Sequence, residues 1–262
     1  MPVLILFLLG AAVGSFLNVC MIRIPMRESI VFPGSHCFSC QRPIAWFDNI
    51  PILSFFLLKG RCRNCKSKIS RQYPVVEGLT ALAFVLFYSV FGLTAQGSVY
   101  LAFSLALLVV SVIDWKDQII PDAISLPGIA LGLAASLVLP GLQGAASWKD
   151  GLVQSLVGML FGGGILYLIG SAAERILKKE AMGGGDVKLL AMIGAFIGWR
   201  GVIWTIFIGS FAGSVIGVAL RVSKGQERVP FGPFLALAAV SYLFFGEHAW
   251  QWYLNLIGLT GA

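Results

Sequence analysis

Residues 98–122 read SVYLAFSLALLVVSVIDWKDQIIPD. Sixteen residues without a formal charge run from Ser98 to Ile113. Asp114, Lys116, Asp117, Pro121 and Asp122 then follow in close order. An uncharged run of this length, closed by charges and a proline, reads as a membrane helix that ends at a water boundary. A second apolar run begins at once, so the chain turns at that boundary and returns.

The same reading extends along the whole sequence. Candidate spans are 2–20, 74–92, 98–114, 122–140, 151–171, 187–199, 201–220 and 231–246. The chain has 262 residues, 58% hydrophobic and only 12% charged. Soluble domains carry about 25% charge. The fold class is therefore an all-α polytopic membrane protein with about eight transmembrane helices. A β-barrel would need short alternating segments, and none is evident. Repeated small residues, such as GSF, GGG and AGSVIG, predict close helix–helix packing.

Charge decides the orientation. Arg23 to Arg71 holds nine Lys/Arg and two Asp/Glu, which accounts for the whole net charge of +7. Basic loops stay in the cytoplasm, and this explains the charge better than nucleic-acid binding does. If the first span ends inside, the inner loops hold seventeen Lys/Arg and the outer side only Lys149 and Arg200. Both termini are then outside. The first twenty residues have no basic residue ahead of their apolar run, and Arg23 and Arg27 follow it. That order suits a first membrane helix rather than a cleaved export signal. The tail 247–262, with Trp250, Trp252 and Tyr253, reads as interfacial.

The basic segment 23–73 is the one soluble-looking module, set between a first transmembrane helix (1–22) and a transmembrane core (74–262). It holds Cys37-x2-Cys40, a gap of 21 residues, then Cys62-x2-Cys65. Disulfides are rare in the cytoplasm, so two such pairs predict a structural zinc ion with four cysteine ligands and no open position. His36 is the less suitable ligand. Cys20, at the end of the first span, reads as a small buried hydrophobe.

Acids at membrane depth are costly and informative. Asp114 lies 14 residues beyond Tyr100, and Asp186 lies 14 residues before Arg200. At 1.5 Å per residue each is about 21 Å from the outer boundary, at similar depth on separate helices. Two facing carboxylates can share a proton and activate water, as an aspartyl dyad does. Gly183, Gly184 and Gly185 precede Asp186 and allow the backbone shapes that line a wet cavity. Asp122, after Pro121, reads as a helix N-cap, and Asp117 as interfacial. Lys188 either snorkels or holds an acid. A proton-coupled transporter would use the same acids, and a zinc-binding adaptor would need none of them. No phosphate-binding GxxxxGK[ST], no HExxH and no Ser–His pair is present.

Several segments, in this order, resemble the type IV prepilin peptidase family. They are GSFLNVCMIRIP (14–25), the two cysteine pairs, DNIPILSFFLLKGRC (48–62), ISRQYPVVEG (69–78), IDWKDQIIPD (113–122) and MGGGDVKLLA (182–191). The resemblance implies a bacterial inner-membrane aspartyl endopeptidase. Such enzymes cut the basic leader from prepilins and pseudopilins of pilus and secretion systems, at the cytoplasmic face. It assigns catalysis to Asp114 and Asp186, with 74–262 as the protease core. Members with the cysteine loop also methylate the new N-terminus with S-adenosylmethionine. Asn18, Gly60 and Glu77 are the methyl-transfer candidates carried over, and Asp48 stands where many members have Glu.

Overall fold

The computed structural model describes residues 1–178, 183–224, 229–256 and 258. Its elements are α1 (Pro2–Arg23), α2 (Leu53–Leu57), α3 (Gln72–Phe91), α4 (Ala95–Asp117), α5 (Asp122–Val138), α6 (Trp148–Leu177), α7 (Gly184–Lys224) and α8 (Gly232–Leu256). Among the described residues the only β-type pairings are two isolated bridges, His36–Pro43 and Arg61–Lys68. The protein is an all-α, multi-pass membrane protein.

Local chemistry sets the helix ends. Pro2 opens α1 at its first turn and Arg23 sits in its last, where a cation suits the helix dipole. Gly92 closes α3 with φ 65°. Ser147 caps α6 by accepting the Asp150 N–H at 3.2 Å.

Among the described residues five helices, α1, α3, α4, α6 and α7, are long and apolar enough to cross a bilayer. Each of the eight expected spans falls on a helical segment, although not all eight meet this length-and-hydropathy criterion. Spans 187–199 and 201–220 correspond to two helices that meet within α7 at Gly198, whose non-helical backbone (φ 69°, ψ −179°) breaks the ladder between them. α5 has 17 residues and is apolar but shorter. α8 carries Glu247 and His248 in its second half. The expected interfacial tail continues α8 to Leu256; residues 257 and 259–262 lie outside the described residues. So do 179–182 and 225–228, which belong to two of the expected inner loops.

The chain divides into two compact units, 1–101 and 102–262. In the first, α1 packs on α3 through glycines four residues apart. A Cβ at Gly10 would stand 2.7 Å from the Ala81 Cα, and one at Gly14 the same distance from the Glu77 Cα. The fully buried Asn18 ties this seam, donating to the carbonyls of Gly14 and Tyr73 at 3.2 Å each. Cys20 is buried on the same helix.

In the second unit, α7 is the hub. Its first half holds the fully buried Leu189, Leu190, Ile193 and Ala195. Gly158 and Gly162 of α6 lie against the backbone of Gly194 and Leu190, leaving no room for a Cβ. Gly132 of α5 meets Ala195 in the same way. The seam is tight because small residues recur every fourth position on both helices. Trp199 and Trp250 meet edge to face at 5.6 Å, with the Arg200 guanidinium 5.7 and 5.1 Å from their ring centres.

Candidate active site and metal centre

Three helix ends converge in the second unit. Asp114 lies one turn from the end of α4, Asp186 in the first turn of α7, and Gly232 begins α8. The Asp114 carboxylate is 6% exposed. Its Oδ2 accepts the Gly232 main-chain N–H at 2.9 Å. Space there is tight: a Cβ at position 232 would stand 2.6 Å from that oxygen. Asp186 is half-buried and lies within the electrostatic reach of the Asp114 carboxylate. The two acids singled out in the sequence stand at the ends of separate helices, near enough for the charge of one to act on the other.

The glycines before Asp186 differ in their surroundings. A Cβ at Gly185 would meet the Ile120 Cβ at 2.8 Å, so this position must be glycine for α7 to approach the α4–α5 turn. Gly184 has open space around it. Gly183 accepts the Asp186 N–H at 3.1 Å and closes the first turn.

The expected cap role of Asp122 is corrected. Pro121 is the N-cap of α5 and no side chain caps that helix. Asp122 lies inside the first turn, and both its oxygens accept from Lys188 Nζ at 2.8 Å. The pair spans 66 residues and ties the start of α5 to the start of α7, two residues beyond Asp186. Lys188 thus holds an acid rather than only reaching for water. Asp117, at the end of α4, is exposed.

Gly232 and the Lys188–Asp122 pair were not read from the sequence as site residues. VPFGPF (229–234) offered a signal, since a glycine between two prolines at a helix start marks an enforced backbone path.

In the first unit the four cysteine sulfurs of residues 37, 40, 62 and 65 lie within 4.8 Å of one another. Cys37 Sγ and Cys65 Sγ are 3.7 Å apart. Tetrahedral zinc with bonds of about 2.3 Å needs sulfurs about 3.8 Å apart, so the cluster fits that ion. Each cysteine pair forms the same turn. The residue after its second cysteine, Gln41 or Lys66, has φ near 57° (56° and 59°) and donates its N–H to the first cysteine's carbonyl. His36 lies outside the cluster, its Nδ1 3.0 Å from the Gly34 carbonyl.

Two of the thiols are set up to lose protons and a third to keep its own. The Cys40 N–H holds the Cys37 thiol down at about 6, and Ser67 lowers Cys65. Against the Arg42 N–H, which lowers it, burial and the neighbouring Cys37 and Cys65 push Cys40 up to about 11. Four thiolates this close repel one another, and a bound cation removes that cost.

Asp48 also has a defined partner. Its oxygens take a bidentate grip from Arg63, Nε to Oδ2 at 2.7 Å and Nη2 to Oδ1 at 2.6 Å. Arg63 lies between Cys62 and Cys65, so the pair fastens the turn at Trp46–Asn49 to the second cysteine knuckle. Of the methyl-transfer candidates, Asn18 sits in the α1–α3 seam and Glu77 accepts the Ile52 N–H at 2.6 Å. Gly60 has φ 65°, with the Phe55 ring 3.1 Å from where its Cβ would be.

A multi-pass helical membrane protein with two neighbouring aspartates at converging helix ends and a four-cysteine cluster forms a narrow class. Residues 8–91 match the bacterial peptidase A24 N-terminal domain, and residues 101–218 match the type IV leader peptidase family. A prepilin leader peptidase/N-methyltransferase of Pseudomonas aeruginosa is 36% identical over 284 aligned residues, covering 98% of this chain and 94% of that protein. One from Myxococcus xanthus is also 36% identical, over 84% of this chain and 64% of its own length. A type 4 prepilin-like proteins leader peptide-processing enzyme of Escherichia coli is 34% identical, over 90% of this chain and 91% of its own. The chain belongs to the type IV leader peptidase family. No solved structure matches it. Neither the transporter nor the adaptor alternative finds a counterpart among these relatives.

Proposed function

We propose that this protein cleaves the leader from prepilins and pseudopilins and then N-methylates the new N-terminus. The observation that carries the peptidase reading is the neighbouring pair Asp114 and Asp186 on separate helices, the first held by the Gly232 N–H. One carboxylate takes a proton from a water whose oxygen attacks the scissile carbonyl carbon. The other gives its proton to the carbonyl oxygen. The tetrahedral intermediate collapses, the C–N bond breaks and the amide nitrogen takes up a proton. The products are a carboxylate and an ammonium group, and the dyad is left sharing one proton as at the start. Gly183, Gly184 and Gly185, the expected active-site loop, lead into and open the first turn of α7 that carries Asp186, and a side chain at Gly184 would meet no neighbour.

The site faces the cytoplasm of the inner membrane in this reading, with both termini outside. The seventeen-to-two distribution of Lys/Arg favours that orientation. Cys37, Cys40, Cys62 and Cys65 hold zinc as a structural ion. The relatives' N-methyltransferase activity favours the second reaction here, in which S-adenosylmethionine supplies the methyl group. The free amine's lone pair takes the methyl carbon, the C–S bond breaks, and its electron pair stays on sulfur.

The test is purified protein incubated with a prepilin and the methyl donor, the product being read by mass spectrometry. Loss of the leader and gain of one methyl are expected. Cleavage that persists at the wild-type rate in Asp114→Asn or Asp186→Asn would remove the dyad from the mechanism.

A further inference from the structure

α2 is turned inside out for a segment that meets water. Leu53, Phe56 and Leu57 stand at i, i+3 and i+4, on one face of the helix. They are 52%, 67% and 71% exposed. The buried position is the polar Ser54, whose hydroxyl donates to the Phe47 carbonyl at 3.1 Å. That bond ties α2 to the turn at Trp46–Asn49, where Trp46 is 81% exposed. In water a small module would bury large apolar side chains before a serine. We propose that this face lies in the interface of an anionic lipid bilayer, so that the cysteine module rests on the membrane surface instead of standing clear of it. The proposal does not depend on the peptidase or methyl-transfer reading.

Depth is the first support. α3 has 20 residues, which at 1.5 Å per residue is about 30 Å, the thickness of a hydrocarbon core. Its first turn is therefore at the lipid boundary. Glu77 lies about 7.5 Å further along the helix than Gln72. Its Oε2 accepts the Ile52 N–H at 2.6 Å. Ile52 is the N-cap of α2, with φ 63°. A β-branched residue rarely adopts that left-handed conformation, and the bond to Glu77 holds it there. α2 thus begins beside a membrane helix, within the depth of about 5–10 Å at which interfacial helices lie.

Charge is the second support. Lys59 to Arg71 holds six Lys/Arg and no Asp or Glu. Arg63 is paired with Asp48. Lys59, Arg61, Lys66, Lys68 and Arg71 are exposed, and among the described residues none of them is in an ion pair. An apolar face followed directly by uncompensated cations suits a segment whose rings enter the acyl boundary while its charges meet lipid phosphates. A water-soluble partner does not reach a face at that depth. A second copy of the same module would bring its own cations against these five, and like charges repel.

The experiment uses the full-length protein in nanodiscs of phosphatidylcholine and phosphatidylglycerol. The photoreactive residue p-benzoylphenylalanine replaces Leu53, Phe56 or Leu57 in turn. It also replaces Leu82, an exposed residue of α3, as the positive control. After illumination the adducts are read by mass spectrometry, and retained zinc reports a folded module. Phospholipid adducts are expected at the α2 positions as at Leu82. At α2 the phosphatidylglycerol share of the adducts is expected to exceed its share of the bilayer by about twofold or more. Salt at about 1 M is expected to remove that excess while the adducts remain. Adducts to other peptides of this chain or to a second copy would overturn the proposal, as would zinc-loaded protein labelled at Leu82 but not at α2. Lipid adducts without the excess would overturn its electrostatic part.

Discussion

The Gly232 main-chain N–H donates to Asp114 Oδ2 across 118 residues of sequence, at 2.9 Å and with no space for a side chain on the glycine. The bond fixes the carboxylate from the start of α8 while Asp186 approaches from the start of α7. Gly232→Ala is expected to push Asp114 out of position. A displacement of about 1 Å at a reacting group can cost on the order of 100-fold. The loss should appear in kcat for leader cleavage with KM little changed. Unaltered kcat would mean that the bond does not position the acid.

The two aspartates act as one unit. Asp114→Asn and Asp186→Asn are each expected to lower cleavage by on the order of 1,000-fold or more, and the double variant should be no worse than either alone. Methylation of an already cleaved pilin should survive in both, because the residues proposed for methyl transfer, Asn18, Gly60 and Glu77, lie in the first unit. Additive losses in the double variant would argue for independent roles.

Lys188 and Asp122 tie α7 to α5 beside Asp186. The pair is exposed, with side-chain exposures of 40% and 55%, so it is worth less than about 1 kcal/mol of stability. Lys188→Met is expected to leave thermal stability nearly unchanged and to slow cleavage several-fold by loosening the first turn of α7. The swapped pair Lys188→Asp with Asp122→Lys should recover much of the rate. A swap no better than the single change would show that the charge pair itself does not matter.

The four cysteines should carry one zinc ion per chain, measurable by mass spectrometry of the native protein. Cys62→Ser or chelation is expected to disorder residues 36–68 while leaving the helices of the second unit intact, as read by hydrogen exchange. Below about 70–80 residues a module rarely holds itself together without such a staple. Protection of 36–68 that outlasts metal removal would contradict the structural role.

Arg63 holds the Asp48 carboxyl below its usual range, chiefly by hydrogen bonding. A depressed folded value means that the stabilisation is present above the unfolded value of about 3.9 and is lost as pH falls through the folded one. The Asp48–Arg63 grip should therefore persist across neutral and mildly acidic pH. An NMR titration of Asp48 is expected to give a midpoint below that of Asp48 in Arg63→Gln. Equal midpoints would mean that the pair is absent in solution.

The local features were legible early because each depends on residues near one another in sequence. Run length and hydropathy mark helices, clusters of small residues mark close packing, and two Cys-x2-Cys turns mark a metal cluster. Depth counting also placed Asp114 and Asp186 together, since the distance travelled along a helix is proportional to residue number. Asp122 misled because its place after Pro121 looks like a cap; the partner that claims its charge, Lys188, is 66 residues away.

Sequence alone thus determined an all-α membrane class, the basic loop, the cysteine turns and the two acids. Tertiary structure decided which backbone N–H meets Asp114, which cation meets Asp122, and how Arg63 grips Asp48. These are contacts between segments that no periodicity relates. Each becomes possible only when packing brings two distant backbones within hydrogen-bonding range, and it is the absence of a Cβ at positions such as 232 and 185 that lets them come so close.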